Sequence, residues 1–308
     1  MEIKSAVVNG SLGTIGLALV KRLLEQGVER VYAIAYPGDP RIEKIPKQAV
    51  TVLCDMREIA QVKDLIPEPV DAFFHLAWMG AIGDGRNDML LQTQNIRCAI
   101  EAAMVAKELG CRVYVGVGSQ AEHGRIEGKV TATASCFPVN GYGMAKLCAG
   151  QMTRVVCGQL GIRHEWARVL SVFGANDGPL SVISILLDKL TKGEKPLLTA
   201  GEQLWDYIYA DDAADALICM AKNGEDGKIY PVGSGQARPL HEYFEILRDA
   251  IDPKLPLGIG ELPYPPKQVM HLEADISELQ SDTGFMPKIS FEDAAKIVVQ
   301  QYQRREGL

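Results

Sequence analysis

The chain has 308 residues, 23% of them charged, and a net charge of −7 without a long block of one sign. That length exceeds one simple domain, so two lobes are expected, and the charge pattern argues against nucleic acid as a partner. No apolar run approaches the ~20 residues that cross a bilayer, and the first strand-like run starts almost at Met1, which together predict a cytoplasmic protein with no membrane partner.

Apolar strand-like runs alternate with amphipathic helical segments through the first half, the pattern of a parallel sheet covered on both faces. In chain order the strands are "SAVVNG", "VYAIAY", "VTVLCD", "AFFHLAW", "RVYVGVGS" and "RHEWARVL". Between the first two, Gly13 to Gln26 stacks Leu19 on Leu23 and Val20 on Leu24 at helical spacing. The fold class is α/β, a doubly wound parallel sheet (Rossmann) with a smaller mixed α/β substrate-binding lobe. After Gly174 turns and prolines multiply, and "LWDYIYADDAADALICMAKN" again reads as strand then helix. Residues 1–173 plus about 204–233 are therefore assigned to the dinucleotide-binding domain, and about 174–203 plus 234–308 to the substrate-binding lobe. Seven cysteines (Cys54, Cys98, Cys111, Cys136, Cys148, Cys157 and Cys219) are scattered and never in a Cys-x-x-Cys spacing, which predicts reduced thiols and no metal site.

Gly10, Gly13 and Gly16 lie between a strand and a helix, where missing side chains permit a tight turn and let a pyrophosphate approach the helix N-terminus. Alone this spacing also suits plain turn residues. The carboxylate expected about 20 residues further on to bind the adenosine ribose is absent from the end of the second strand, where Ala35 and Tyr36 stand, and Asp39 lies past a Pro37-Gly38 turn. A missing acid removes the repulsion that excludes a 2′-phosphate, and Arg41 and Lys44 supply positive charge, which favours NADP over NAD; ordinary solvated loop charges are the alternative.

Tyr142 and Lys146 stand four residues apart in "NGYGMAKLCAG", on one face of a helix. A phenol with pKa near ~10 is a poor base at neutral pH, and a neighbouring ammonium lowers that value. Ser119, at the carboxyl end of the fifth strand, is placed to hydrogen-bond the oxygen on which Tyr142 acts, because ligands of such sheets bind at that end.

At these residues the sequence resembles the extended short-chain dehydrogenase/reductase family, within it the nucleotide-sugar epimerases, dehydratases and 4-keto reductases. "NGSLGTIG" is similar to the family's glycine loop (Gly10, Gly13, Thr14, Ile15, Gly16), "CDMRE" to its adenine-side segment (Asp55, Met56), "HLAW" to its fourth strand (Leu76, Ala77), "VGVGSQAEHG" to its serine strand and "YGMAK" to its tyrosine-lysine pair. "LWDYIYADDAADAL" and "ADISELQSDTGFMPKISFEDA" resemble later signatures, so the match covers nearly the whole chain. The resemblance implies that Tyr142 is the acid/base, that Lys146 grips the nicotinamide ribose and that Ser119 polarises the substrate oxygen; Tyr36 and Arg41, at and after the end of the second strand, are further cofactor-binding candidates. It also implies a homodimer built on a four-helix interface. The segment "CAIEAAMVAKELG" is apolar enough to contribute, and its apolar face equally suits covering the sheet.

Departures from the family narrow the chemistry. Dehydratases carry an Asp-Glu pair directly after the catalytic Ser/Thr, where this chain has Gln120 and Ala121, so dehydration is not expected. Gln120, Glu122 and His123 are candidate substrate contacts, with loop and packing roles as the alternatives for the last two. Trp205 replaces the family's diphosphate-binding Arg, and Arg238 and Lys267 are candidates to compensate. The leading reading is a nucleotide-sugar 4-keto reductase using NADP, with NAD as alternative. The rivals are a 4-epimerase with retained cofactor, a reductase of a non-nucleotide ketone, and a cofactor-sensing protein without catalysis.

Overall fold

The computed structural model describes residues 1–306. Along the chain run β1 (Ser5–Asn9), α1 (Thr14–Glu25), β2 (Arg30–Ala35), β3 (Val50–Leu53), α2 (Val62–Leu65), β4 (Ala72–His75), α3 (Met89–Glu108), β5 (Val113–Ser119), β6 (Gly128–Val130) and α4 (Gly141–Leu160). They are followed by β7 (Arg163–Val169), β8 (Ser171–Phe173), α5 (Val182–Thr191), β9 (Leu204–Trp205), β10 (Tyr207–Tyr209), α6 (Ala210–Asn223) and β11 (Ile229–Val232). The chain continues through β12 (Arg238–Pro239), α7 (Leu240–Ile251), β13 (His271–Ala274), α8 (Ser277–Thr283) and α9 (Phe291–Glu306). Among the described residues no helix is long and apolar enough to cross a membrane.

Seven strands form one parallel sheet in the order β11-β7-β5-β4-β1-β2-β3. Both of its faces are covered, which is why its strands read as near-continuous apolar runs rather than as alternation. On one face Ala6 and Val8 meet Leu19 and Leu23 of α1 and Leu217 of α6; on the other Val7 and Phe73 meet Ala102 and Ala106 of α3. The apolar side of "CAIEAAMVAKELG" thus covers the sheet. Strand order reverses between β1 and β4, and the carboxyl ends of these two strands open the crevice where such sheets bind ligands.

The second lobe is built on the four-stranded sheet β12-β9-β13-β6 and a cluster that joins Phe173, Leu186 and Leu190 to Tyr243, Leu247, Phe291 and Val298. The segment from 204 onward divides between the lobes. β9 belongs to the small sheet and β10 pairs with β8, whereas α6 packs on α1 and β11 completes the large sheet. β6, inside the stretch assigned to the first domain, also pairs into the small sheet with β13. Asp206, fully buried, ties these parts together: it accepts hydrogen bonds from the amides of Ser234 (2.8 Å), Gly235 (3.0 Å) and Ala274 (3.0 Å).

Candidate active site

The glycine loop closes on the next strand more tightly than any side chain permits. Gly10 has φ +91°, and a Cβ there would stand 2.5 Å from the Ala77 amide nitrogen; at Gly16 it would stand 2.2 Å from the Gly10 carbonyl oxygen. α1 begins at this point without a side-chain cap and without an acidic residue in its first turn. Its open amides and positive dipole end therefore face the crevice, a site suited to a diphosphate. Thr14 Oγ1 donates to the Asn176 carbonyl at 3.1 Å, anchoring the turn to the loop after β8.

Two adjoining cavities run from this loop. The first, about 470 Å³, is lined by Gly10, Gly13, Tyr36, Arg41, Asp55 and Met56, with Leu76 and Ala77 on its far side. Its wall also holds Asp39 and Arg57. Asp39, which the sequence put beyond a turn, is folded back by a hydrogen bond from the Arg41 amide (2.9 Å), and the Arg41 guanidinium grips its carboxylate at 2.7 and 3.0 Å. Arg57 clasps Asp55 in the same manner. Each guanidinium holds its carboxylate below the usual pKa range, so both pairs are ionic. Lys44 turns away to Asn176 (3.0 Å) and lines a different surface, so it contributes no charge to this cavity.

The second cavity, about 340 Å³, shares Gly10, Gly13, Leu76 and Trp78 with the first and adds Thr14, Ile15, Gly16, Ser119, Tyr142, Lys146 and Asp177. The strand end and the helix start thus bring Ser119 and the Tyr142–Lys146 pair into one wall. α4 is set by its Asn140 cap, whose side chain accepts from the Gly143 amide at 2.9 Å. Burial pushes the Tyr142 phenol above its ordinary pKa; a hydrogen bond with Ser119 and the Arg86 guanidinium, 4.3 Å from the ring centre, pull the other way. The expected lowering of this phenol by Lys146 is not what the geometry gives. The Lys146 ammonium donates to the Val117 carbonyl at 2.6 Å and is 5.9 Å from the Tyr142 ring centre. Burial lowers Lys146 itself to about 7, partly opposed by the charge of Glu122.

The candidate substrate contacts are not brought together. Gln120 is half-buried with its Oε1 unpartnered and lines neither cavity. Glu122 is fully buried and paired with Arg168 at 2.7 Å, which puts it beneath Ser119 rather than in the crevice. His123 is buried with Nδ1 3.1 Å from the Ser135 carbonyl, a packing position. Trp205 donates from Nε1 to Ser171 Oγ at 2.7 Å. Arg238 is in register with Trp205 across the β9–β12 pair, but its guanidinium binds Glu292 at 2.6 Å and lines a separate cavity of about 270 Å³. Lys267 is exposed on a loop at φ 63° and lines none of these cavities. Sequence reasoning missed Trp78, which borders both halves of the cleft, and Arg57; a lone aromatic after a strand and a Asp-x-Arg turn carry no periodic signal.

A doubly wound parallel sheet with a glycine cradle at its switch point, and a serine, a tyrosine and a lysine around the adjoining cleft, defines the class: an NAD(P)-dependent extended short-chain dehydrogenase/reductase. The NAD dependent epimerase/dehydratase family model matches residues 6–233. The chain belongs to that family. A curated relative, the GDP-6-deoxy-D-mannose reductase of Pseudomonas aeruginosa, is 24% identical over 275 residues, covering 82% of this chain and 86% of the relative. A putative UDP-glucose 4-epimerase of Methanocaldococcus jannaschii is 29% identical over 169 residues, about half of each chain at 53%. Among solved structures, the UDP-N-acetylglucosamine 4-epimerase of Methanobrevibacter ruminantium M1, in complex with UDP-N-acetylmuramic acid, superposes with TM-score 0.88 at 22% identity, covering 99% of this chain and 100% of that one.

Proposed function

We propose that this protein is a nucleotide-sugar 4-keto reductase that uses NADPH, with Tyr142 as proton donor, Ser119 as the group that polarises the ketone and Lys146 on the nicotinamide ribose. The observation that carries the reading is the convergence of Ser119, Tyr142 and Lys146 on the cavity that runs from the glycine loop, with no acid pair following Ser119. A phenol is protonated at neutral pH and can give its proton to a developing alkoxide, the direction reduction requires. Gln120 and Ala121, in place of an acid pair, leave no group for eliminating water. The reductase among the relatives, aligned over most of both chains, supports the same class of reaction.

A bound dinucleotide would supply the hydride. Gly10, Gly13 and the open amides of α1 hold its diphosphate, and Tyr36, Arg41 and Arg57 surround the adenosine ribose. Two guanidinium groups line that cavity, each clasping a carboxylate, Arg41 on Asp39 and Arg57 on Asp55, and a 2′-phosphate there would compete with those acids for them. Ser119 donates to the ketone oxygen while Tyr142 transfers its proton to it, and the Trp78 ring screens Lys146 from water. Proton and hydride together turn ketone into alcohol. The partner is a small molecule, and a homodimer through the exposed sides of α3 and α4 is part of the proposal.

The test supplies NADPH and a panel of nucleotide-linked 4-keto-6-deoxyhexoses carrying dTDP, UDP, GDP or CDP. One NADPH is consumed per alcohol formed if the proposal holds. The superposition on a 4-epimerase favours the second reading: interconversion of two 4-hydroxy sugars without net cofactor consumption would replace reduction by epimerisation.

A further inference from the structure

The interior directly behind Ser119 holds an ion pair where an apolar side chain would fill the same space. Glu122 is 0% and Arg168 2% exposed, and Arg168 Nε donates to Glu122 Oε2 at 2.7 Å. The other carboxylate oxygen, Oε1, accepts from Trp166 Nε1 at 3.0 Å and from the Ser119 backbone amide at 2.8 Å. Ser119 is the last residue of β5, in register with Val169 of β7, and its amide takes the carboxylate as its partner. The Ser119 hydroxyl in turn accepts from the Ala121 amide at 3.2 Å, which closes a capping box around the turn Gln120–Glu122. Space for the carboxylate exists because residue 118 is glycine: a Cβ there would stand 2.1 Å from Glu122 Oε1 and 2.2 Å from Trp166 Nε1.

Buried ion pairs are poor stabilisers, because desolvation offsets their attraction, and well-packed apolar replacements are often neutral or better. The Glu122–Arg168 pair therefore calls for a role beyond stability; its hydrogen bond to the reacting groups is from the Ser119 backbone amide, while the charge of Glu122 also bears on Lys146 and Tyr142. With one hydroxyl lone pair held by the Ala121 amide, the Ser119 proton is directed to the Tyr142 phenol oxygen, on the side of the cleft where the ketone oxygen would lie. We propose that Glu122, held by Arg168 and Trp166, is the positioning residue that fixes Ser119 and aims its hydroxyl proton at the ketone oxygen. This rests on the reading of Ser119 and Tyr142 as the groups that meet that oxygen.

The test compares Glu122→Met/Arg168→Met, an apolar pair, with Glu122→Gln/Arg168→Met, which keeps an amide oxygen for the Ser119 N–H. The apolar pair should bind NADPH as wild type does, lose at least ~10-fold in kcat on the sugar-ketone panel and hold KM. The glutamine pair should recover most of that loss. Ser119→Ala should slow the wild type but not the apolar pair, since a misaimed hydroxyl has nothing further to lose. Hydrogen exchange at the Ser119 amide needs no substrate: protection should vanish in the apolar pair and persist in the glutamine pair. If the apolar pair does not fold, Trp166→Phe removes one donor to the same oxygen and must lower kcat in a manner that disappears in the Ser119→Ala background. Wild-type kcat in a folded apolar pair, an additive Ser119→Ala effect, or unchanged amide protection would overturn the proposal. An inactive Tyr142→Phe beside a fully active apolar pair would sink this inference alone, whereas a fully active Tyr142→Phe would sink the reductase reading itself.

Discussion

The Lys146 ammonium lies 3.8 Å from the centre of the Trp78 ring and donates a hydrogen bond to the Val117 carbonyl at 2.6 Å. An indole face offsets part of the cost of a buried cation, by up to ~2 kcal/mol when water is excluded. Even so, burial draws Lys146 down to about 7. The unfolded chain holds that proton up to about 10.4, so the folded state carries the full penalty of a buried charge below pH 7 and sheds it as pH rises toward 10. Lys146→Met should accordingly raise the melting temperature of the cofactor-free protein at pH 6.5, and the gain should shrink at pH 9.5. A gain that grows with pH would mean that the ammonium is stabilised where it stands. Trp78→Leu should weaken cofactor binding, measured by fluorescence titration, because the ring borders both halves of the cleft.

Tyr142→Phe removes the proton donor and leaves the ring, its edge contact with Trp78 and the Arg86 guanidinium in place. Turnover should fall by ~10²-fold or more, the usual scale of general acid–base catalysis, with NADPH affinity nearly unchanged. Steady-state kinetics beside a binding titration separates the two, and near wild-type turnover would remove Tyr142 from the mechanism.

Cofactor choice should respond to the two Arg–Asp clasps. NADPH is expected to bind more tightly than NADH, and Arg41→Ala or Arg57→Ala should weaken NADPH by ~10-fold while sparing NADH, since a guanidinium favours a phosphate over a hydroxyl. Ala35→Asp should swing preference toward NADH by repelling the 2′-phosphate. Titrating both reduced cofactors into each variant decides it; tighter NADH binding by the wild type would assign Asp39, in the wall of the same cavity, as the ribose acceptor.

Gly16→Ala forces a methyl group to within 2.2 Å of the Gly10 carbonyl oxygen, backbone that can yield only by opening the loop. Cofactor affinity should drop at least ~10-fold, with a loss of stability of the size usual for core overpacking, ~1–3 kcal/mol. Calorimetric titration and a denaturation curve check the two parts.

His75 and His164 are both buried without charge: burial lowers them to about 3 and about 4. Below about pH 6.5 the unfolded chain binds protons at both rings while the folded chain does not, so their contribution to stability is intact above that pH and falls as pH drops toward 4. Their Cε1 proton resonances should stay flat between pH 7.5 and 5. His75→Phe, which cannot protonate and retains the stacking on Tyr114, should make the acid limb of the stability profile shallower; an equally steep limb would assign the acid loss to other groups.

The sheet, the glycine loop and the Ser119, Tyr142 and Lys146 constellation were legible in the sequence because they rest on local order: apolar strands, helical spacing and small residues between strand and helix. What lies within one turn or at one strand end can be read along the chain. The substrate candidates could not, since Glu122, Arg238 and Lys267 read alike as charged residues until packing separates them. Glu122 reaches Arg168 across 46 positions and becomes interior; Arg238 reaches Glu292 across 54 and turns from the cleft; Lys267 stays on the surface. The same holds for Asp39, returned to the cleft by Arg41, and for the phenol of Tyr142, whose pKa is set by burial rather than by the lysine one turn away. Sequence determined the strand order's raw material and the chemistry available at its ends, while only the tertiary structure decided which charges are desolvated and paired, because the surrounding dielectric is a property of packing and not of any local motif.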